Sequence, residues 1–214
     1  FTSDRDGYVK NLSDPNGPKL NDRDRQGGRL QFLFTPSDAT SMRVIMDYAE
    51  LDEMCCAALT KKNNLAHIHT GKVVAGTDAI ISTAAPLGFG LPITLEKDFN
   101  KQEVYLTHPP RSQAEDSGLS LEINRDFENY TLTSISAIRN FETEDFGDVD
   151  FGAASVITDL NKLDVSSFTQ ELRMTGDFET PSGRDGNYVV GFYYHSQDVD
   201  NHSTLTAGVH TSPM

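Results

Sequence analysis

The sequence contains no apolar run of about twenty residues, the length that a transmembrane helix needs. Hydrophobic residues make up 37% of the chain, and mean hydropathy is -0.44. A membrane is not thereby excluded, because the strands of a membrane barrel are about ten residues long and need an apolar residue only at every second position. The sequence therefore predicts no transmembrane helix in this chain and leaves membrane-spanning β-strands open.

Basic residues are scarce, since 18 Lys and Arg face 32 Asp and Glu, for a net charge of -14. A nucleic-acid partner is not expected, because neutralising phosphates requires clustered Lys and Arg. No basic and then apolar leader follows Phe1, so any export signal lies outside this chain or never existed. The chain also starts and stops without capping features, and we interpret it as a fragment.

Catalytic motifs are absent from the sequence as well. It has no Gly-x-Ser-x-Gly, no phosphate-binding loop and no His-Glu-x-x-His, so we expect no enzyme, no catalytic residue and no cofactor. The adjacent Cys55 and Cys56 are too close for a CxxC motif and are either two thiols or a vicinal disulfide. His67 and His69 could bind a metal, but two ligands do not make a site, and we predict solvated loop histidines and no metal.

The stretch from Asp24 to Glu50 predicts two β-strands joined by a tight turn. In its first half every second residue is apolar, namely Leu30, Phe32 and Phe34, and in its second half the same holds for Met42, Val44, Met46 and Tyr48. The turn falls between Pro36 and Thr40, where proline fixes φ and removes a donor and the Ser and Asp side chains can bond the local backbone. This pattern is typical of a β-hairpin.

Further alternation predicts about seven strands in all. It appears around Leu119 to Asn124, Phe168 to Met174 and Tyr188 to His195, while both faces of the strand from Tyr130 to Thr143 are mixed and its sides stay unassigned.

Four segments are predicted as exposed loops: 12–23, 51–116, 142–164 and 196–214. Long connections follow Asn11, Glu50, Thr143 and His195, whereas short ones centre on Asp38, Glu128 and Pro181. This regular asymmetry places all long loops on one rim, as in an outer-membrane barrel, and a Greek-key sandwich has no reason to show it.

The two faces of the predicted strands carry different chemistry. A soluble sandwich would bury the apolar face and leave the polar one to water, whereas a membrane barrel turns the apolar face to lipid and the polar one to its lumen. In the barrel, the polar positions would form the wall of the lumen. These residues are Arg29, Gln31, Arg43, Asp47, Glu122, Glu171 and Arg173.

Several motifs, in a shared order and spacing, resemble TonB-dependent receptors of the Gram-negative outer membrane. They are Arg5-Asp6-Gly7-Tyr8-Val9-Lys10-Asn11, the run from Arg29 to Glu53 with Cys55-Cys56-Ala57-Ala58, Tyr130-Thr131-Leu132-Thr133-Ser134-Ile135, Phe168-Thr169-Gln170-Glu171-Leu172-Arg173 and Tyr188-Val189-Val190-Gly191-Phe192-Tyr193-Tyr194. The resemblance covers part of the barrel only, because a plug domain, an energy-coupling box and a terminal aromatic strand are not found. Residues 1–214 are therefore interpreted as a partial barrel domain.

The resemblance implies an all-β fold of antiparallel up-and-down strands, a segment of a transmembrane barrel of about 22 strands with long loops on one rim. It also implies binding of a scarce solute, such as a ferric siderophore, at the cell surface and import with energy from TonB. The implied partners are outer-membrane lipid, the plug domain, TonB acting through the plug, and the solute. Two other classes of function stay open: a secreted β-sandwich that binds carbohydrate or protein, and, less favoured, a β-rich hydrolase.

Overall fold

The computed structural model describes residues 1–59, 65–66, 73–74, 99–149 and 157–208. His67 and His69 lie outside these ranges. The strands are β1 (Thr2–Arg5), β2 (Lys10–Asn11), β3 (Arg23–Ser37), β4 (Thr40–Glu53), β5 (Leu65–Ala66), β6 (Val73–Val74), β7 (Glu103–Val104), β8 (Arg111–Asp126), β9 (Tyr130–Asp148), β10 (Ile157–Glu179) and β11 (Asp185–Ala207), with a 3₁₀ turn at Phe99–Lys101. In these ranges no helix is long and apolar enough to cross a membrane.

Seven of the strands form one antiparallel sheet in the order β1-β3-β4-β8-β9-β10-β11. Each long strand therefore pairs with its neighbours along the chain, as predicted, and the small pairs β2-β7 and β5-β6 lie outside this sheet. The predicted hairpin is present, with Asp38 and Ala39 as its turn and Leu30 directly opposite Met46. The register shifts between Phe34 and Ser37, so Pro36, which was expected in the turn, lies at an irregularity of β3.

The connections alternate as the sequence predicts. Short turns follow β3, β8 and β10 at one end of the sheet, which we call the turn end. The longer connections 6–22, 54–110 and 149–156 leave from the opposite end, which we call the loop end. The asymmetry between the two rims of the sheet is therefore confirmed.

Several strands are longer than predicted, and the loop predictions there were wrong. Glu142 to Asp148 continue β9, residues 157–164 begin β10, and Ser196 to Ala207 continue β11. As a result, β10 and β11 are each 23 residues long and remain paired over their whole length. Acidic and polar residues can occupy these strands because a sheet face that meets water needs no apolar side chains.

Residues directly opposite each other in antiparallel strands lie on the same face of the sheet. One face, called face A, carries the row Leu30, Met46, Leu119, Ile138 and Phe168 across five strands. The other, called face B, carries the row Arg43, Glu122, Ile135 and Glu171. The register thus assigns the strand whose sides the sequence left open, because Ile138 lies on face A and Ile135 on face B.

No second layer covers face A in the part of the chain that the structure describes. Leu30 is 51% exposed, Phe32 54% and Met46 39%, and Val44 is half-buried. The only cluster of buried apolar side chains among the described residues lies at the loop end and comprises Val9, Leu20, Ala57, Val104 and Leu106, with Met54 and Leu59 packed against it. We call it the rim cluster. Leu20, which was predicted to lie in an exposed surface loop, is buried in this cluster.

Two asparagines hold the rim cluster together through main-chain groups of distant segments. The buried Asn11 side chain donates to Leu106 O at 3.0 Å and accepts from Leu106 N at 3.0 Å. Asn21 does the same with Ala57, at 3.0 Å to its O and 2.7 Å from its N. Each amide satisfies a donor and an acceptor that would otherwise be costly to bury, so three segments far apart in sequence are fixed to one another.

A charged pair lies beneath the rim cluster. Arg25 donates to both carboxylate oxygens of Glu53, with Nη2 to Oε2 at 2.9 Å, and the Glu53 side chain is almost fully buried. The hydrogen bond from Arg25 lowers the pKa of Glu53, against the effect of burial. Cys55 and Cys56, which follow Met54, are joined by a disulfide in this structure.

Candidate functional site

The polar residues predicted to line the lumen all lie on face B. Arg29 is opposite Asp47, Gln31 is opposite Ile45, and Arg43 is opposite Glu122. Glu122 and Glu171 lie on either side of Ile135 in the register and therefore share a row. Arg173 lies opposite Thr133, in the next row of the same face. The structure therefore brings all seven residues onto one surface, which is the candidate functional site.

A hydrogen-bonded chain runs across the centre of face B. Arg43 forms an ion pair with Glu122, and Asn124 Nδ2 donates to Glu122 Oε1 at 2.8 Å. Thr133 Oγ1 in turn donates to Asn124 Oδ1 at 2.7 Å. These contacts join side chains of β4, β8 and β9, and each hydrogen bond helps to fix the position of the next side chain. A second pair, Arg173 to Glu171 at 3.0 Å, lies on the next strand.

Arg139 is a member of the site that the sequence did not reveal. Its guanidinium contacts Asp116 at 2.5 Å and Asp47 at 3.4 Å and so joins β9 to β8 and β4. The mixed pattern of its strand hid it, because the side of Arg139 could not be assigned without the register. Arg29, Asp47 and Arg139 line an open cleft of about 340 Å³.

The chemistry of this site suits the binding of polar groups. Guanidinium, carboxylate and amide groups face an open surface, and they can hydrogen-bond polar groups of a ligand or of another protein segment. Across the described residues, no group of three or more His, Cys, Asp or Glu is placed to hold a metal ion.

Face A opposite the site is a broad apolar surface. Besides the hairpin residues, its exposed large side chains include Leu119, Leu121, Ile138, Phe168, Leu172, Val190 and Phe192. The polar exceptions near its centre are bonded to one another: Gln170 Nε2 donates to Ser134 Oγ at 3.1 Å, and Ser136 Oγ donates to Gln170 Oε1 at 2.5 Å. The side-chain groups of these three residues therefore do not depend on water alone.

No family model and no curated protein matches the chain. Among solved structures, the chain resembles part of a large β-barrel. The match is to the ferric yersiniabactin uptake receptor FyuA from Yersinia pestis, with a TM-score of 0.59 and 14% sequence identity; it covers 96% of this chain and 26% of FyuA. The chain thus spans about a quarter of the length of that receptor. At this identity the likeness shows the fold alone, and it confirms the prediction of an all-β, antiparallel, up-and-down barrel segment.

The ion pair between Arg43 and Glu122 provides a test of the network on face B. In a double-mutant cycle of Arg43→Met and Glu122→Gln, measured by urea unfolding of the intact gene product in detergent, we expect a coupling of about 1 kcal/mol. The partly buried Glu122 also accepts from Asn124, and this fixes its position. The more exposed pair Arg111 and Asp52, at 2.7 Å, is the control, and we expect half that coupling or less. Equal coupling in both pairs would contradict a network at the centre of face B.

Proposed function

We propose that residues 1–214 are part of the barrel of an outer-membrane receptor for active transport. In this proposal face A meets lipid and face B lines the lumen, while the plug and the remaining strands are supplied by other parts of the protein. The receptor binds a scarce solute at the cell surface, for which a ferric siderophore is the leading candidate, and imports it with energy from TonB acting through the plug.

One observation carries the proposal: in the part of the chain that the structure describes, an apolar face without a covering layer lies back to back with a hydrogen-bonded charged face. Monomeric soluble proteins rarely expose an apolar patch of more than a few hundred Å². In a lipid bilayer the same surface is stable, because hydrocarbon is the environment that apolar side chains prefer. The paired polar groups of Gln170, Ser134 and Ser136 are compatible with lipid, since they satisfy each other.

The soluble β-sandwich receives less support. A sandwich needs a second sheet about 10 Å from the first to bury the apolar face. In the described ranges, the buried apolar side chains lie instead in the rim cluster at one end, outside the face that a sandwich would cover. The likeness to an uptake receptor also favours transport over binding in solution.

In the proposed receptor the two surfaces have separate roles. The network of Arg43, Glu122, Asn124 and Thr133 offers hydrogen-bonding groups to the plug across the lumen. The solute would first meet the loop end, where the longer connections and the rim cluster lie. The solute class rests on the likeness to FyuA, and loops of different sequence could select another molecule.

The proposal is tested on the intact gene product in its own host. We expect it to fractionate with the outer membrane and to require detergent for extraction. Loss of the gene should abolish uptake of one solute, and loss of TonB should abolish the same uptake. Recovery of the intact protein in a detergent-free soluble fraction would overturn the proposal.

The isolated segment 1–214 provides a second, independent test. We expect it to aggregate or to need detergent, because within the described ranges β1 and β11 are edge strands with unpaired N–H and C=O groups, and no second layer covers face A there. Size-exclusion chromatography and thermal unfolding in detergent-free buffer are the measurements. A monodisperse monomer with a sharp, cooperative transition would favour the sandwich.

A further inference from the structure

The polarity of both faces changes along the strands, and it changes at the same row on five neighbouring strands. This row consists of Tyr48, Ser117, Asn140, Ser166 and Asp198, which lie directly opposite one another in the register. We call it the boundary row. It separates the turn-end part of the sheet from the loop-end part.

On face A, apolar side chains give way to carboxylates at the boundary row. Towards the turn end, the rows are dominated by large apolar residues such as Leu119, Leu121 and Phe168. The next row towards the loop end consists of Glu50, Glu115, Glu142, Asp164 and Asp200, each directly opposite the next. The row after that consists of Asp52, Gln113, Glu144, Lys162 and His202.

Face B changes in the opposite direction. Towards the turn end it carries the charged network, but beyond Ser167 its positions on β10 are Val165 and Leu163. Both are half-buried, and the neighbouring positions on the other strands are Ala49, Leu51, Ala114, Phe141 and Thr143, with Asp116, bound to Arg139, as the exception. On β4, β8, β9 and β10 the apolar side is therefore exchanged at the boundary row, and face B carries it over the next two rows.

The apolar part of face A has the length that a bilayer requires. On β9, Tyr130 at the turn end and Asn140 in the boundary row are ten positions apart, and a tilted transmembrane strand needs about 9–11 residues. Aromatic side chains mark the turn end of this stretch: Tyr130 and Tyr188 share a row, and Phe127 stacks on Tyr130 at 4.6 Å. Tyr48 lies at the other limit, and aromatic residues at both limits are typical of the two membrane interfaces.

We infer that the hydrocarbon of the membrane ends at the boundary row and that the strand segments beyond it stand in water as a wall outside the cell. The inference rests on the proposed function and deepens it, since it divides face A into a lipid-contacting belt and a hydrated acidic surface. Five like charges in directly opposed positions repel one another, and water screens them whereas hydrocarbon does not. The acidic rows therefore limit how deeply the barrel can lie in the membrane.

The test places a spin label at single positions of the intact protein in phospholipid vesicles. Leu121→Cys reports on the belt, and Glu115→Cys and Glu142→Cys report on the acidic row of the same face. We expect oxygen, which concentrates in hydrocarbon, to relax the label at Leu121 more strongly than a water-soluble nickel complex does. The order should reverse at Glu115 and Glu142. The parent protein should take up no label, and if Cys55 or Cys56 reacts, the series is repeated with both replaced by Ser.

The two ways in which this experiment can fail are distinct. If labels at Glu115 and Glu142 also meet oxygen more than nickel, the boundary row is wrong although the chain still lies in a membrane. If the label at Leu121 meets the nickel complex, the proposed membrane location itself fails. A second measurement does not rely on labels: Glu142→Arg, beyond the boundary row, should leave the amount of assembled protein unchanged, and loss of assembly would overturn the inference.

Discussion

Replacement of Leu121 by Arg should destabilise the assembled protein by about 2–4 kcal/mol, the cost of a cation near the bilayer midplane on the lipid side of a barrel. Leu121 is 38% exposed and lies directly opposite Val44 on one side and Ser136 on the other, near the middle of the apolar belt. The measurement is the urea midpoint of the intact protein refolded into lipid vesicles, together with the amount assembled in the outer membrane.

Ser120→Arg is the matched control, because Ser120 is the adjacent residue on the same strand and points to face B. It lines the open cleft beside Arg29 and Asp47, so that a long polar side chain has room and stays hydrated. We expect a change of less than about 1 kcal/mol, as for most substitutions of hydrated surface residues. Equal losses for both variants would show that face A is not the lipid-contacting side.

The second large effect is expected at Asn11, whose replacement by Ala should loosen the rim cluster by about 1–3 kcal/mol. The substitution leaves the N–H and C=O of Leu106, a residue only 1% exposed, without their side-chain partner. It also removes a hydrogen bond from Ser13 N at 3.1 Å. Hydrogen exchange of the intact protein should show peptides around Val104 and Leu106 exchanging roughly tenfold faster or more.

Asn16→Ala is the control for this effect. Asn16 lies in the same connection but is exposed, so its loss should leave exchange at Leu106 unchanged. The long strands should also keep their protection in both variants, since their pairing does not depend on the cluster. Unaltered exchange in Asn11→Ala would mean that the two asparagine bonds do not hold the connections together.

The strands that could be predicted from the sequence are those whose alternation keeps one phase. Leu119, Leu121 and Ile123 fall on one face and Ser120, Glu122 and Asn124 on the other, and the same holds around Leu172. The polar set on face B followed directly from this phase. A resemblance in several weak motifs then pointed to the barrel, which the likeness to FyuA bears out for the fold.

The parts of the structure that the sequence did not predict have two physical causes. On β10 the apolar positions are even-numbered at Phe168 and Leu172 but odd-numbered at Val165 and Leu163, because the environment of each face changes at the boundary row. Because the alternation changes phase at that row, the first part of β10 was predicted to be a loop although the strand is continuous. Leu20 and Asn11 were missed for another reason, since single residues in polar loops give no periodic signal and their partners lie up to 95 positions away.

The rim cluster also bears on how the sheet can form. The neighbouring long strands from β8 onwards are joined by residues 127–129, 149–156 and 180–184, whereas β4 and β8 are separated by residues 54–110. The entropy lost in closing such a loop is incurred before the strands can pair, and it grows only slowly with length, by about 0.6 kcal/mol for each doubling. Contacts of Ala57 with Asn21, and of Leu106 with Asn11, hold both ends of that connection against one N-terminal segment. The rim cluster therefore holds the two ends of this connection close to each other, next to the place where β4 ends and β8 begins.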